Sequence, residues 1–195
     1  MPTPDRTSLD AIVRAGRDII EAGGLAGLTM QAVATRVGVR APSLYKRVGG
    51  RDDLIRLITE ATVRDLEARL EIAAPTTDAG ATLRELARAY RAFAHERPAG
   101  YRLIFAPESD AARGDVELLA RASAPVLRIA GALAGPDHAL AAARTITAWA
   151  HGFVSMELAG AFQLGGDVDH AFEFGLERLA GALTSHHRAT ADWAP

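Results

Sequence analysis

Residues 29–51, TMQAVATRVGVRAPSLYKRVGGR, constrain the fold more than any other stretch of this chain. Ala34, Gly38 and Leu44 set its frame. A small residue lets two helices approach, a glycine turns the chain, and an apolar residue anchors the second helix to the first. The steps of four and six residues between them suit a helix-turn-helix. The stretch is also free of carboxylates: no Asp or Glu stands between Glu21 and Asp52, while Arg36, Arg40, Lys46, Arg47 and Arg51 do. A window of that kind approaches phosphates without repulsion.

The rest of the chain reads as helix, and the expected fold class is all-α with about nine helices. Thr7 or Ser8 caps a first helix to about Ala22, with Leu9, Ile12, Ile19 and Ile20 as its apolar stripe and Gly16 as a costly residue in its middle. Thr29 caps a second helix to about Val37. A third runs from about Ala41 to Val48 with Pro42 in its first turn, and Gly49 and Gly50 close it. Asp52 and Asp53 open a long fourth helix to about Ile72, with Leu54, Leu57, Ile58, Ala61 and Leu66 on its apolar face. Breaks at Pro75–Gly80 and Pro107–Gly114 bracket helices at about 81–96 and 98–105. Further helices are expected at about 115–133, 137–163 and 169–187, before a loose polar tail at 188–195.

Composition narrows the function. The 195 residues include no cysteine, which removes disulfides and thiolate chemistry. The start, MPTPDRTSLD, has no apolar leader core. The longest weakly apolar stretch, Arg144 to Glu157, is too short to span a bilayer and contains His151. The expectation is a cytoplasmic protein with no membrane role. Residues 1–70 hold 11 basic and 9 acidic side chains, and residues 71–195 hold 11 and 15. The net charge of -2 therefore hides a basic front and an acidic back, and only the front suits nucleic acid. Of six histidines only His186 and His187 are adjacent, so no metal is expected, and no cofactor fingerprint is present.

Within residues 41–48, Leu44 and Val48 are four apart and can face the core. Ser43, Tyr45, Lys46 and Arg47 are then left outside. Tyr45 offers a hydroxyl on a rigid arm for a backbone phosphate, and Lys46 and Arg47 suit phosphates or guanine edges. Thr29, at a helix start, can present its hydroxyl and the amides near it to a phosphate. The plain alternative is a solvated corner between two helices of an unrelated helical protein.

The opening helix, then LTMQAVATRVGV, APSLY and the aspartate-rich start of a long helix resemble the DNA-binding domain of the TetR family, the tetracycline repressor-like transcription regulators. The resemblance covers residues 8–58. It implies that Tyr45 and Arg51 contact the DNA backbone and that Arg40, Pro42, Ser43, Lys46 and Arg47 lie at the groove. The chain departs from the family pattern in carrying Val48 where an aromatic residue is frequent and Arg51 where lysine is frequent. Within TAWAHGF, Trp149, His151 and Gly152 resemble the tryptophan-histidine-glycine (WHG) signature of one C-terminal subfamily.

The resemblance implies a helix-turn-helix domain over residues 1–53, with its motif at 29–48, and a ligand-binding and dimerisation domain over 54–187. The implied protein is a ligand-responsive repressor. It binds a palindromic operator in double-stranded DNA as a homodimer and is released by a small, largely apolar effector. The dimer would form through the last two helices, where Thr145, Trp149, Gly152, Met156 and Gly160 fall near one face and Phe172, Leu176, Leu179 and Leu183 form another stripe. Candidate effector walls are Phe93, Tyr101, Phe105, Trp149, Phe153 and Met156. His95, His151 and Glu157 are candidate polar contacts. The competing readings are an all-helical interaction protein and an all-helical enzyme. The second lacks a phosphate loop, a dinucleotide fingerprint and a paired metal motif.

Overall fold

The computed structural model describes residues 8–74, 78–105 and 115–191, with side chains as far as Thr184. Thr7 as an alternative cap, the break at 107–114, the His186–His187 pair and the tail all fall outside the described side chains. The described residues form nine α-helices joined by turns, two of them single 3-10 turns, with no strand among them. In chain order the helices are α1 (Leu9–Gly23), α2 (Met30–Val37), α3 (Ala41–Leu44), α4 (Arg51–Ile72) and α5 (Ala79–Glu96). They continue with α6 (Pro98–Phe105), α7 (Val116–Ala134), α8 (Ala139–Leu158) and α9 (Val168–Ala191).

Two compact units result. One comprises residues 1–65 and 96–119, the other residues 66–95 and 120–195. The first buries Ile12, Ile20, Leu28, Val33, Ala34, Leu44, Val48, Leu54 and Ile58 around a common core, which Leu103 of α6 completes. Ser8 starts α1 by accepting the Ala11 amide at 3.2 Å, and Thr29 starts α2 by accepting the Ala32 amide at 3.0 Å. Gly38 stops α2 in the left-handed region, φ 74° and ψ 38°. There the Gly38 and Val39 amides return to the Thr35 and Ala34 carbonyls.

Gly16 sits where two helices pack closely. A Cβ at that position would lie 2.6 Å from Ile58 Cδ1, so the glycine lets α1 and α4 close on each other. Leu9, expected on the apolar stripe, is exposed, and Val13 is buried in its place. The stripe starts one turn later because α1 begins at Leu9, ahead of the packed core.

Helix α6 is fixed to the same unit by a carboxylate. Glu21 accepts the Gly100 amide at 2.8 Å and the Ala99 amide at 3.1 Å. A negative group thus sits on the positive end of α6 and satisfies two amides that have no partner within the helix. Gly100 leaves the room: a Cβ there would lie 3.2 Å from Glu21 Oε1 and from Thr62 Cγ2.

In the second unit, α8 ends at Leu158 rather than near residue 163. Gly160, expected to lie on an interface face of that helix, is its terminator. Its φ is 65°, and the Gly160 and Ala161 amides bond back to the Glu157 and Met156 carbonyls. Phe172 and Leu176 of α9 pack inside the subunit against Ala87, Trp149 and Phe153, so these two are core rather than free interface stripe. Trp149 stacks on Phe172 with ring centres 5.3 Å apart. Phe153 sits edge-on to Phe172 at 5.2 Å and near Phe162 at 4.8 Å.

Candidate nucleic-acid interface

The element after Gly38 builds the surface that matters. Arg40 stands at the N-terminal boundary of α3 in an extended conformation, and Pro42 occupies its first turn. The regular helix spans only Ala41–Leu44, short of the expected end at Val48. The chain nevertheless continues as a helical turn: the Arg47 and Val48 amides both bond to the Leu44 carbonyl, at 2.8 and 3.0 Å. The bifurcated pattern, with Gly49 and Gly50 following, tightens the last turn and ends it.

Side chains then sort as the spacing predicts. Leu44 and Val48 are 0% and 2% exposed, while Tyr45 is 56% exposed. Arg40, Pro42, Lys46 and Arg47 are exposed and Ser43 is half-buried. Val48 is thus buried at the position where an aromatic ring is frequent in the family. Thr29 is exposed, and its hydroxyl serves the Ala32 amide. Nearby, Arg36 is matched by Asp18 at 2.8 Å, an exposed pair that offsets its charge toward phosphates.

Two groups at the start of α4 act on the backbone around this surface. Arg51 donates from Nε to the Leu28 carbonyl at 3.0 Å and from a terminal nitrogen to the Leu25 carbonyl at 2.9 Å. Arg51, expected at the DNA backbone, here engages the interior as well, because the fork of the guanidinium matches two carbonyls on adjacent turns. Asp53 accepts the Gly49 amide at 2.7 Å and an Arg56 nitrogen at 2.6 Å. The Gly49 hydrogen bond, then the one from Arg56, hold the Asp53 carboxyl below its ordinary range.

The effector candidates divide between the units. Tyr101 and Phe105 belong to the first, with ring centres 5.2 Å apart. Phe93, His95, Trp149, His151, Phe153 and Met156 belong to the second. Phe93 and Tyr101 are buried as packed core, Trp149, His151 and Phe153 are half-buried, and Met156 is exposed. Burial pushes the His151 imidazole below its usual range, which keeps it neutral at pH 7.

His95 lies beside a depression of about 250 Å³ lined by Arg88, Arg91, Ala92 and His95 of α5. An ion network borders it. Arg91 pairs with Glu157 and, at 2.6 Å, with Asp169, and His95 Nε2 lies 2.9 Å from Glu157. Arg88 grips Glu173 through two bonds of 2.8 Å. The charge pairs Arg84–Arg88 and Glu173–Glu177 read as solvated faces, and Arg88 is exposed, while its fork-to-carboxylate geometry with Glu173 also joins α5 to α9. Arg88, Arg91 and His95 recur at three- and four-residue steps, a helical-face signal carried by charge and not by apolar periodicity.

The Arg91 hydrogen bond, offset in part by burial and reinforced by His95, holds the Glu157 carboxyl below its ordinary range. Arg88 does the same for Glu173. A carboxylate depressed in the folded state stabilises it above the unfolded pKa and loses that contribution as pH falls through the folded one. Urea midpoints should therefore drop as pH is lowered from about 4.5. Glu157→Gln should shallow that drop in acid while lowering the midpoint at pH 7. An unaltered acid profile in Glu157→Gln would contradict the role given to the Arg91 pair.

Residues 12–58 match the bacterial regulatory proteins of the tetR family, and residues 83–179 match the tetracyclin repressor-like C-terminal domain. A crystal structure of SCO4313, considered a regulatory protein, superposes with a TM-score of 0.77 at 30% identity, covering 93% of this chain and all of that one. This chain belongs to the TetR family. Among curated relatives, the uncharacterised HTH-type transcriptional regulator Rv0681 of Mycobacterium tuberculosis is 29% identical over 190 residues. That match covers 92% of this chain and 83% of the relative. The fold is also that of a TetR variant from Acinetobacter baumannii AYE in complex with minocycline, with a TM-score of 0.66 at 22% identity over 90% of this chain and 95% of that one. The TetR-family chain is thus a helix-turn-helix DNA-binding transcription regulator and not an enzyme. No helix among its described residues is long and apolar enough to cross a membrane.

Proposed function

We propose that the chain is an effector-responsive repressor that acts in the cytoplasm, binding a palindromic operator as a homodimer. The observation that carries the reading is the Tyr45-Lys46-Arg47 triplet, presented outward by a turn whose Leu44 and Val48 are buried. It lies inside a 30-residue window without carboxylates. Thr29, Arg40, Pro42 and Ser43 complete the DNA-facing set. A single turn of this size reads only one half-site, so two copies are needed to meet successive major grooves about 34 Å apart. The last two helices are the proposed dimer surface, with exposed Met156 and Phe174 as its apolar contribution.

The effector is proposed to be small and largely apolar. Trp149, Phe153 and Met156 offer aromatic and thioether surface, and His95 and His151 the polar contacts. The TetR variant crystallised with minocycline supports a small-molecule site on this fold. Phe93, in the same unit, stays in the proposed set. An effector acts only by binding one state of the dimer better than the other. Helix α4, which supplies residues to both units, is the element through which such a preference would reach the reader.

Tyr45→Ala and Lys46→Ala test the assignment. Each should weaken operator binding roughly tenfold, and Lys46→Ala should lower the slope of log affinity against log salt by about one. Both should leave the dimer intact in light scattering. Unchanged affinity in both variants in a gel shift would sink the assignment of residues 41–48 to DNA.

A further inference from the structure

We infer that Arg51 is a positioning residue, which holds the turn between α1 and α2 so that Thr29 meets DNA in the correct place, and that it is not itself a phosphate contact. The inference rests on the DNA-binding reading above. The half-buried guanidinium donates to the carbonyls of Leu25 and Leu28 at 2.9 and 3.0 Å. Leu25 opens the 3-10 turn Leu25–Gly27, and the Leu28 carbonyl belongs to the peptide that leads into Thr29. The Leu28 side chain is itself fully buried, so the segment is pinned by its side chain from within and by Arg51 through its backbone.

The same turn of α4 also reaches the other end of the reader. Asp53 accepts the Gly49 amide, which follows the DNA-facing turn. Residues 51 and 53 therefore tie down both connections that flank α2 and α3. Geometry explains why arginine stands here. Its planar fork offers two donors in fixed directions, whereas a lysine ammonium is a point charge on a flexible stem and cannot reproduce the pair. A phosphate contact would need only positive charge and would tolerate lysine.

The test uses the full-length protein and a double-stranded DNA fragment enriched from a random-sequence pool by the wild-type chain. Affinities of Arg51→Lys, Arg51→Ala, Thr29→Ala and the Thr29→Ala/Arg51→Lys double variant are measured across a salt series. Each is normalised to its active fraction by stoichiometric titration. Arg51→Lys and Arg51→Ala should both lose affinity roughly tenfold, with the wild-type salt slope in Arg51→Lys. In the Thr29→Ala background Arg51→Lys should cost little more, since the two act through one contact. A purely structural arginine would lower the folded fraction but leave the normalised affinity and the Thr29 coupling untouched.

Wild-type affinity in Arg51→Lys, with a slope reduced by about one in Arg51→Ala, would overturn the inference and restore the phosphate contact. So would strictly additive losses for Thr29 and Arg51. If an Arg51 variant does not fold, Arg51→Gln, which keeps a donor without charge, replaces it under the same criteria. Failure of the wild-type chain to enrich any sequence would overturn the DNA-binding reading itself, an outcome visible before any variant is compared.

Discussion

Leu44→Ala should destabilise the first unit by about 2–5 kcal/mol and abolish sequence-specific DNA binding at 37 °C. The side chain is fully buried among Val33, Ala34, Val48 and Leu54, so its removal leaves a cavity in a small core. The effect on binding should exceed the effect on stability in relative terms. Leu44 is the last residue of α3, and its carbonyl holds the turn that carries Tyr45, Lys46 and Arg47. A domain's net stability is only about 5–15 kcal/mol, so a loss of this size removes much of it. Urea denaturation followed by circular dichroism, paired with a gel shift well below the melting range, separates the two effects. Wild-type binding by a folded Leu44→Ala protein would show that the turn does not depend on its anchor.

Gly175→Ala is the second large effect, and it falls in the other unit. A Cβ at Gly175 would overlap the Trp149 indole at Cζ2 and come 3.0 Å from Cε2. An indole is rigid and is held here against Phe172 and Phe153, so it has no flexible end to swing aside. Overpacking of this kind costs roughly 1–3 kcal/mol, and the upper part of that range is expected. The gain in helix propensity on replacing glycine, about 1 kcal/mol, opposes it without cancelling it. Trp149 fluorescence should shift as the ring is displaced, and the melting temperature should fall. A Gly175→Ala protein more stable than wild type would mean that α8 and α9 separate easily at this point.

The helices were legible because the chain marks their ends chemically. Ser8, Thr29 and Gly38 act as caps and stop where their types suggest, and Pro98 starts α6. The inward positions of Leu44 and Val48 followed from their four-residue spacing. What the chain did not show locally depends on partners distant in sequence. The part played by Glu21 depends on residues 99 and 100, which only the fold places against it. The Leu25 and Leu28 carbonyls that Arg51 reaches are likewise distant from it in sequence. Gly160 reads as a small interface residue, because helical spacing alone does not reveal a left-handed φ. Arg88 and Arg91 were hidden because a fork pairing two helices leaves no trace in either helix alone.

The first unit is discontinuous: residues 1–65 need α6, which follows the whole of α5 in the chain, to complete their core and to satisfy Glu21. During synthesis, then, the helices that carry the DNA-reading surface emerge before α6, the element that supplies Leu103 to their core and two amides to Glu21. A core completed from both sides of α5 ties closure of the reader to a later part of the chain, so its last contacts form after α5 has been made.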